Sequence, residues 1–183
     1  MLKHRHLIGI ASTIALFAGS AVANAKDAPN IDLRIGVLAG LSGDLAQSGQ
    51  PWTEATRIAV ENIDEQIKSW GLSDKFKVSF VGAEDSQGNA QSGVEAARKL
   101  VDVDGANVVV GDFYSSVTIA AAQAVFIPEE IIDFTGGTAP SIADLNKSTG
   151  KTWMWRVAPP DSIQGPVVAK LIGDTVGLSM TSG

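Results

Sequence analysis

The spacing of hydrophobic and polar positions changes several times along this chain, and each change marks an element. Ile31, Leu33, Ile35 and Val37 alternate with other residues and run into Gly40-Leu-Ser-Gly43, which predicts a strand entering a tight loop. Pro51 suits the first position of a helix, where its missing N–H is not needed. Trp52, Ala55, Ala59, Ile63, Ile67 and Trp70 then recur every three or four residues up to Gly71, predicting a helix with those side chains inward. Phe76, Val78 and Phe80 alternate as a second strand ending near Glu84-Asp85. A helix over 90–101 follows, with Val94, Ala97 and Leu100 inward. Val108-Val-Val110 is short, continuous and β-branched, as in a strand buried on both faces. Ser115 and Ser116 open an alanine-rich helix that Pro128 must end. Residues 131–134 predict a fourth strand, Gly136-Gly-Thr138 a turn, 153–157 a fifth strand and 162–172 a last helix.

Strand and helix alternate throughout, so the expected fold class is α/β, a three-layer parallel sheet with helices on both faces in a flavodoxin-like or Rossmann-like order. Asp133 is the odd residue, a charge within a strand expected to be buried. Either it lies at the strand end, or the register is off by one.

The first 25 residues read differently. Lys3, His4, Arg5 and His6 precede an apolar stretch over 7–17, and Ala23-Asn-Ala25 closes a run of small residues. A basic start, a short apolar segment and an A-x-A site are the three parts of a secretory signal peptide, predicting a mature start at Lys26 and a periplasmic location. The apolar stretch is shorter than the roughly 20 residues of a membrane span, so no membrane insertion is expected after its removal. The remaining 158 residues carry 12 Lys and Arg against 20 acids, a formal charge of −8 with no basic cluster, and so no nucleic-acid partner is expected. The chain has no cysteine, and both histidines lie in the first 25 residues. Thiol catalysis, cysteine-based metal sites and histidine-dependent triads or zinc sites are thereby excluded from the mature chain. Neither G-x-G-x-x-G, a phosphate loop nor G-x-S-x-G is present, so no cofactor, no metal and no enzymatic activity are expected.

In an open parallel sheet, ligands bind beyond the carboxyl ends of the strands, where the helices leave in opposite directions. Three loops rich in Gly, Ser and Thr fall there: 41–50, 112–116 and 135–138. Ser115 and Ser116 sit at a helix start, whose free N–H groups and dipole favour an anion; both also suit simple capping. The hydroxyl of Thr138 serves a ligand or its own turn. Trp52 lines a pocket or joins the core. Asp85 and Asp112, the acids nearest the mouth, read as solvated loop carboxylates.

With these loops placed, the chain resembles the N-terminal lobe of the leucine/isoleucine/valine-type substrate-binding proteins of bacterial ABC transporters, in the type I periplasmic binding protein family. The resemblance is carried by Ile35-Gly-Val-Leu-Ala-Gly-Leu-Ser-Gly43 with Ala46-Gln-Ser-Gly49, by Glu84-Asp85 with 91–101, and by Val110-Gly-Asp-Phe-Tyr-Ser-Ser-Val-Thr118. Gly136-Gly-Thr-Ala-Pro140 and Arg156 with Asp161-Ser-Ile-Gln-Gly-Pro166 complete it, over roughly residues 32–172. It implies an extracytoplasmic receptor that closes two lobes on an amino acid and delivers it to a permease in the inner membrane. Ser115 and Thr138 would grip the ligand carboxylate, with Ser116 adjacent, and the Gly136 carbonyl would hold the α-amino group. The family often carries an aromatic residue at the position of Ser48, for which Trp52 is the substitute here. Gly88 and Tyr114 stand where family members can have cysteines. The expected organisation is a signal peptide over 1–25, a ligand-binding lobe over 26–172 and a truncated tail over 173–183, with the second lobe absent. The alternatives are a same-fold receptor for another small polar solute (an amide, urea or an aromatic acid) or a secreted hydrolase using carboxylates.

Overall fold

A computed structural model describes residues 30–147 and 149–176 of the protein. Five strands form one wholly parallel sheet: β1 (Ile31–Ala39), β2 (Phe76–Asp85), β3 (Val108–Val110), β4 (Ile132–Thr135) and β5 (Met154–Arg156). Their order across the sheet is β2-β1-β3-β4-β5, the flavodoxin-like arrangement expected from the alternating pattern. The connection from β1 to β2 runs one way along the sheet and every later one runs the other way. Right-handed crossovers therefore put the helix α1 (Ala46–Ser69) on one face, and α2 (Ala90–Arg98) and α3 (Ser115–Ala121) on the other. Both α2 and α3 continue through a π-helical turn, over Lys99–Val103 and Ala122–Phe126. The fourth helix, α4, covers Asp161–Val176, beyond the expected 162–172 at both ends. Residues 1–29, which include the expected signal peptide, and residues 177–183 of the expected tail lie outside the described residues.

The main core lies under α2 and α3, where Leu38, Leu100, Val109, Val117, Val125 and Phe126 are fully buried. On the other face, α1 packs along β1 and β2. A row of paired residues across that face shows the consequence: Val37 is 0% exposed, Phe134 38% and Trp155 50%. Along α4, Ile163, Val167, Leu171 and Ile172 are exposed as well.

The expectation for α1 needs two corrections. The helix starts at Ala46 behind a 3-10 turn (Gly43–Leu45), so Pro51 lies inside it and not at its first position. Gln47 and Pro51 are both exposed, so the carbonyl that loses its helical donor faces water. The inward face is Gly49, Trp52, Thr53, Thr56, Val60 and Ile67, about one residue round from the apolar series, whose Ala55, Ala59, Ile63 and Trp70 are exposed. The threonines can face the sheet because each hydroxyl donates back to a helical carbonyl, Thr53 to Gly49 and Thr56 to Trp52, both at 2.9 Å. Asp133 also departs from both readings offered for it. It is the second residue of β4, in register with Val109 and Met154, and fully buried.

Candidate functional site

The loops after β1 and β3 leave neighbouring strands toward opposite faces, and a cleft of about 420 Å³ opens between them. Its lining includes Gly40, Leu45, Ser48, Asp112, Phe113 and Tyr114. Gly49 lets α1 close up on the end of β1, since a Cβ there would lie 2.0 Å from the Gly40 carbonyl oxygen. One turn beyond Ser48, the Trp52 ring meets Phe113 edge-on at 4.7 Å between centroids. The indole N–H of Trp52 is buried with no hydrogen-bond partner among the described residues. Phe113 in turn rests on Gly136, where an added Cβ would come within 2.5 Å of the ring. Trp52, Phe113 and Gly136 thus form a continuous wall from α1 to the turn after β4.

The serines separate sharply. Ser115 does not cap α3; its Oγ accepts the backbone N–H of Thr138 at 3.1 Å and of Ala139 at 3.0 Å, tying the start of α3 to the β4 turn. Its own O–H remains to donate. Ser116 is exposed on the first turn of α3. Thr138 is half-buried, and its hydroxyl makes no hydrogen bond within the described residues. Its carbonyl accepts from the Asp161 amide at 3.0 Å and, with that of Ala139, from Arg156 Nη1 at 3.4 and 2.9 Å. The two hydroxyls at the β4 turn, with the Arg156 guanidinium behind it, offer donors and positive charge on the side where an anion was expected.

The two acids are not the solvated carboxylates expected from their loop positions. Asp85 Oδ1 accepts the Leu41 amide and the Gln87 amide, each at 2.8 Å. Burial opposes its ionisation, but the Leu41 amide, the Ser42 hydroxyl and the Gln87 and Ser42 amides outweigh it and hold its pKa below the usual carboxylate value. Asp112 is 1% exposed. Its carboxylate accepts the Ser86 hydroxyl and the Tyr114 amide, the latter at 2.7 Å. Burial raises its pKa, against these donors and the Phe113 amide. Sequence reasoning passed over Phe113, although an aromatic three residues after a β-branched strand, in the loop at its carboxyl end, is a signal of a lined mouth. It also left Arg156 outside the site, because only the β4–β5 register brings it to the turn.

The model of the periplasmic binding protein family matches residues 32–179. A leucine-specific-binding protein of Salmonella typhimurium is 31% identical over 158 residues, covering 85% of this chain and 40% of that one. An amino acid binding protein of Pseudomonas aeruginosa is 35% identical over 143 residues, covering 77% and 35%. Among solved structures, a leucine binding protein from Thermotoga maritima superposes with a TM-score of 0.63 at 18% identity, over 79% of this chain and 38% of that one. A branched-chain amino acid transporter substrate binding protein from Streptococcus pneumoniae, solved with isoleucine, gives 0.61 at 19%, over 80% and 39%. This chain therefore spans about 40% of the length of the relatives it matches. Five parallel strands in that order, a cleft at the β1/β3 switch point and a family match over most of its length make this chain a member of the periplasmic binding protein family.

Proposed function

We propose that this chain is the N-terminal, ligand-binding lobe of an extracytoplasmic receptor for ABC-type import of an amino acid of the branched-chain class, working with an inner-membrane permease and not as an enzyme. The observation that carries this reading is the β4 turn. Ser115 and Thr138 present hydroxyls there beside the Trp52–Phe113 wall, so one small molecule can meet donors at one end and apolar surface at the other. A free amino acid has that division, with a carboxylate at one end and an aliphatic side chain at the other. The Gly136 carbonyl is the acceptor for its ammonium, Ser116 lies next to the grip, and Ser48 stands at the open side of the cleft. The N-terminal segment of residues 1–25 directs export, and the receptor acts in the periplasm.

Two or three charge-assisted hydrogen bonds, at roughly 1.5–3 kcal/mol each, are opposed by association costs of about 4–15 kcal/mol. A cleft open on one side is therefore expected to bind at about millimolar Kd or weaker. The test is thermal unfolding of the purified chain in the presence of each of the twenty amino acids, with benzoate and urea alongside. Stabilisation by leucine, isoleucine or valine at concentrations of tens of millimolar, with the ligand recovered unchanged, supports the reading. Stabilisation by benzoate alone moves the assignment to an aromatic acid, and turnover of any of them overturns the receptor class.

A further inference from the structure

Asp112 touches more of the cleft's framework than any residue assigned to the ligand. Its carboxylate takes the Ser86 hydroxyl from the β2–α2 loop and the Tyr114 amide from the β3–α3 turn. Its main-chain carbonyl takes the hydroxyl of Thr135 at 2.9 Å, and Thr118 Oγ1 lies 3.3 Å from the same carbonyl. The two hydroxyls share a hydrogen bond of 2.7 Å, and Thr135 Oγ1 also accepts the Gly137 amide at 3.0 Å. The residue after Tyr114 is Ser115, which holds the amides of Thr138 and Ala139. One buried acid thus links the β2–α2 loop, the β3–α3 turn that lines the cleft and, through its carbonyl, the end of β4.

We infer that Asp112 is a positioning residue of this site: it touches no ligand, and its ionised carboxylate sets the β3–α3 turn so that Ser115 and the β4 turn reach the same molecule. The inference rests on the proposed ligand site. Every partner of the carboxylate is a donor, which is the arrangement an ionised acid needs and a protonated one disturbs. The charged group that bears on it is another acid, Asp85 at the end of β2, and the neighbouring acid on β4, Asp133, is held protonated by burial. Neither compensates its charge, so the three donors hold it. Burial shifts its titration upward from the ordinary carboxylate range, and protonation takes an acceptor away from the turn.

The experiment is a pH titration of the 183-residue chain by amide NMR, without ligand and with excess isoleucine. In the free protein the Tyr114, Gly137, Thr138 and Ala139 amides are expected to move with one shared midpoint above the ordinary aspartate pKa. Isoleucine affinity should be roughly tenfold weaker below that midpoint than above it. Asp112→Asn keeps an acceptor for the Tyr114 amide, so it should fold, but being neutral at every pH it should bind isoleucine at the weaker, low-pH level throughout and lose both the shared midpoint and the pH dependence. Asp133→Val, which removes the neighbouring acid, should keep both. A Tyr114 midpoint that does not reach Thr138 and Ala139, or a shared midpoint that survives Asp112→Asn, overturns the inference. If the amide transition is present but isoleucine moves nothing at any pH, the solute-binding reading falls and takes the ligand role of Asp112 with it; Asp112 is then only the anchor of the loops.

Discussion

Asp133 sits where a parallel sheet has least tolerance for it. It is fully buried in β4, and neither carboxyl oxygen has a hydrogen-bond partner among the described residues. It lies over the backbone of Gly111 and is in register with Val109, whose side chain belongs to the core under α2 and α3. Burial, with the Asp112 charge as a smaller contribution, holds its pKa well above the usual carboxylate range. The acid is therefore carried neutral, and a buried unpartnered polar group still costs about 1–3 kcal/mol. Valine is shorter by one heavy atom and suits a strand, so Asp133→Val removes that cost without overpacking. The expected gain of about 1–3 kcal/mol corresponds to roughly 2–12 °C in Tm for a unit of this size. Its pH dependence has a definite sign. Below the unfolded-state pKa of about 3.9, both states hold the proton and ionisation contributes nothing. As pH rises toward the folded-state pKa, only the unfolded chain ionises, and the natural protein loses about 1.4 kcal/mol per pH unit in that window. Urea unfolding of both proteins at about pH 4.5 and about pH 7 measures this, and the gain from valine should be larger at the higher pH. A destabilised variant, or a gain equal at both pH values, would refute the reasoning.

Ser115→Ala removes an acceptor shared by two turn amides and should cost about 1–3 kcal/mol of stability, while Thr138→Ala should stay within about 0.5 kcal/mol; paired urea curves separate the two. Both should abolish the stabilisation by amino acids. Asp85 has a depressed pKa, so its contribution is present above the unfolded value and disappears as pH falls through the folded one. Asp85→Asn should therefore cost about 1.5–3 kcal/mol near neutral pH and progressively less as pH falls below the ordinary aspartate value, read from unfolding curves across that range. Periplasmic protein is expected to begin at Lys26, which N-terminal sequencing checks; an intact Met1 would refute export by cleavage.

Much of the fold was legible because period and turn chemistry point the same way. Val108-Val-Val110 marked β3 to the residue, and the loops after β1 and β3 fell where the cleft lies. What escaped was set by tertiary contact. The inward face of α1 includes Thr53 and Thr56, which count as polar in a pattern and become compatible with burial only by donating to their own helix. Ser115 read first as a cap and second as a ligand group, and a tie to the turn 23 residues on leaves no local trace. Asp85 and Asp112 looked like solvated loop acids because one donor to each, the Leu41 amide and the Ser86 hydroxyl, comes from a segment distant in sequence. The same holds for Phe113, whose contacts with Trp52 and Gly136 make it the middle of the wall.

The central claim is that the β4 turn takes the carboxylate of an amino acid, and a comparison of isoleucine with isoleucinamide tests it most directly. The two ligands share the side chain and the ammonium and differ only in the group that Ser115 and Thr138 are proposed to hold. In amide NMR spectra of the purified chain, isoleucine at tens of millimolar should move the Ser115, Gly136 and Thr138 signals, as expected of a roughly millimolar site, and isoleucinamide at the same concentration should leave them in place. Equal shifts from both ligands, or none from either, would contradict the account.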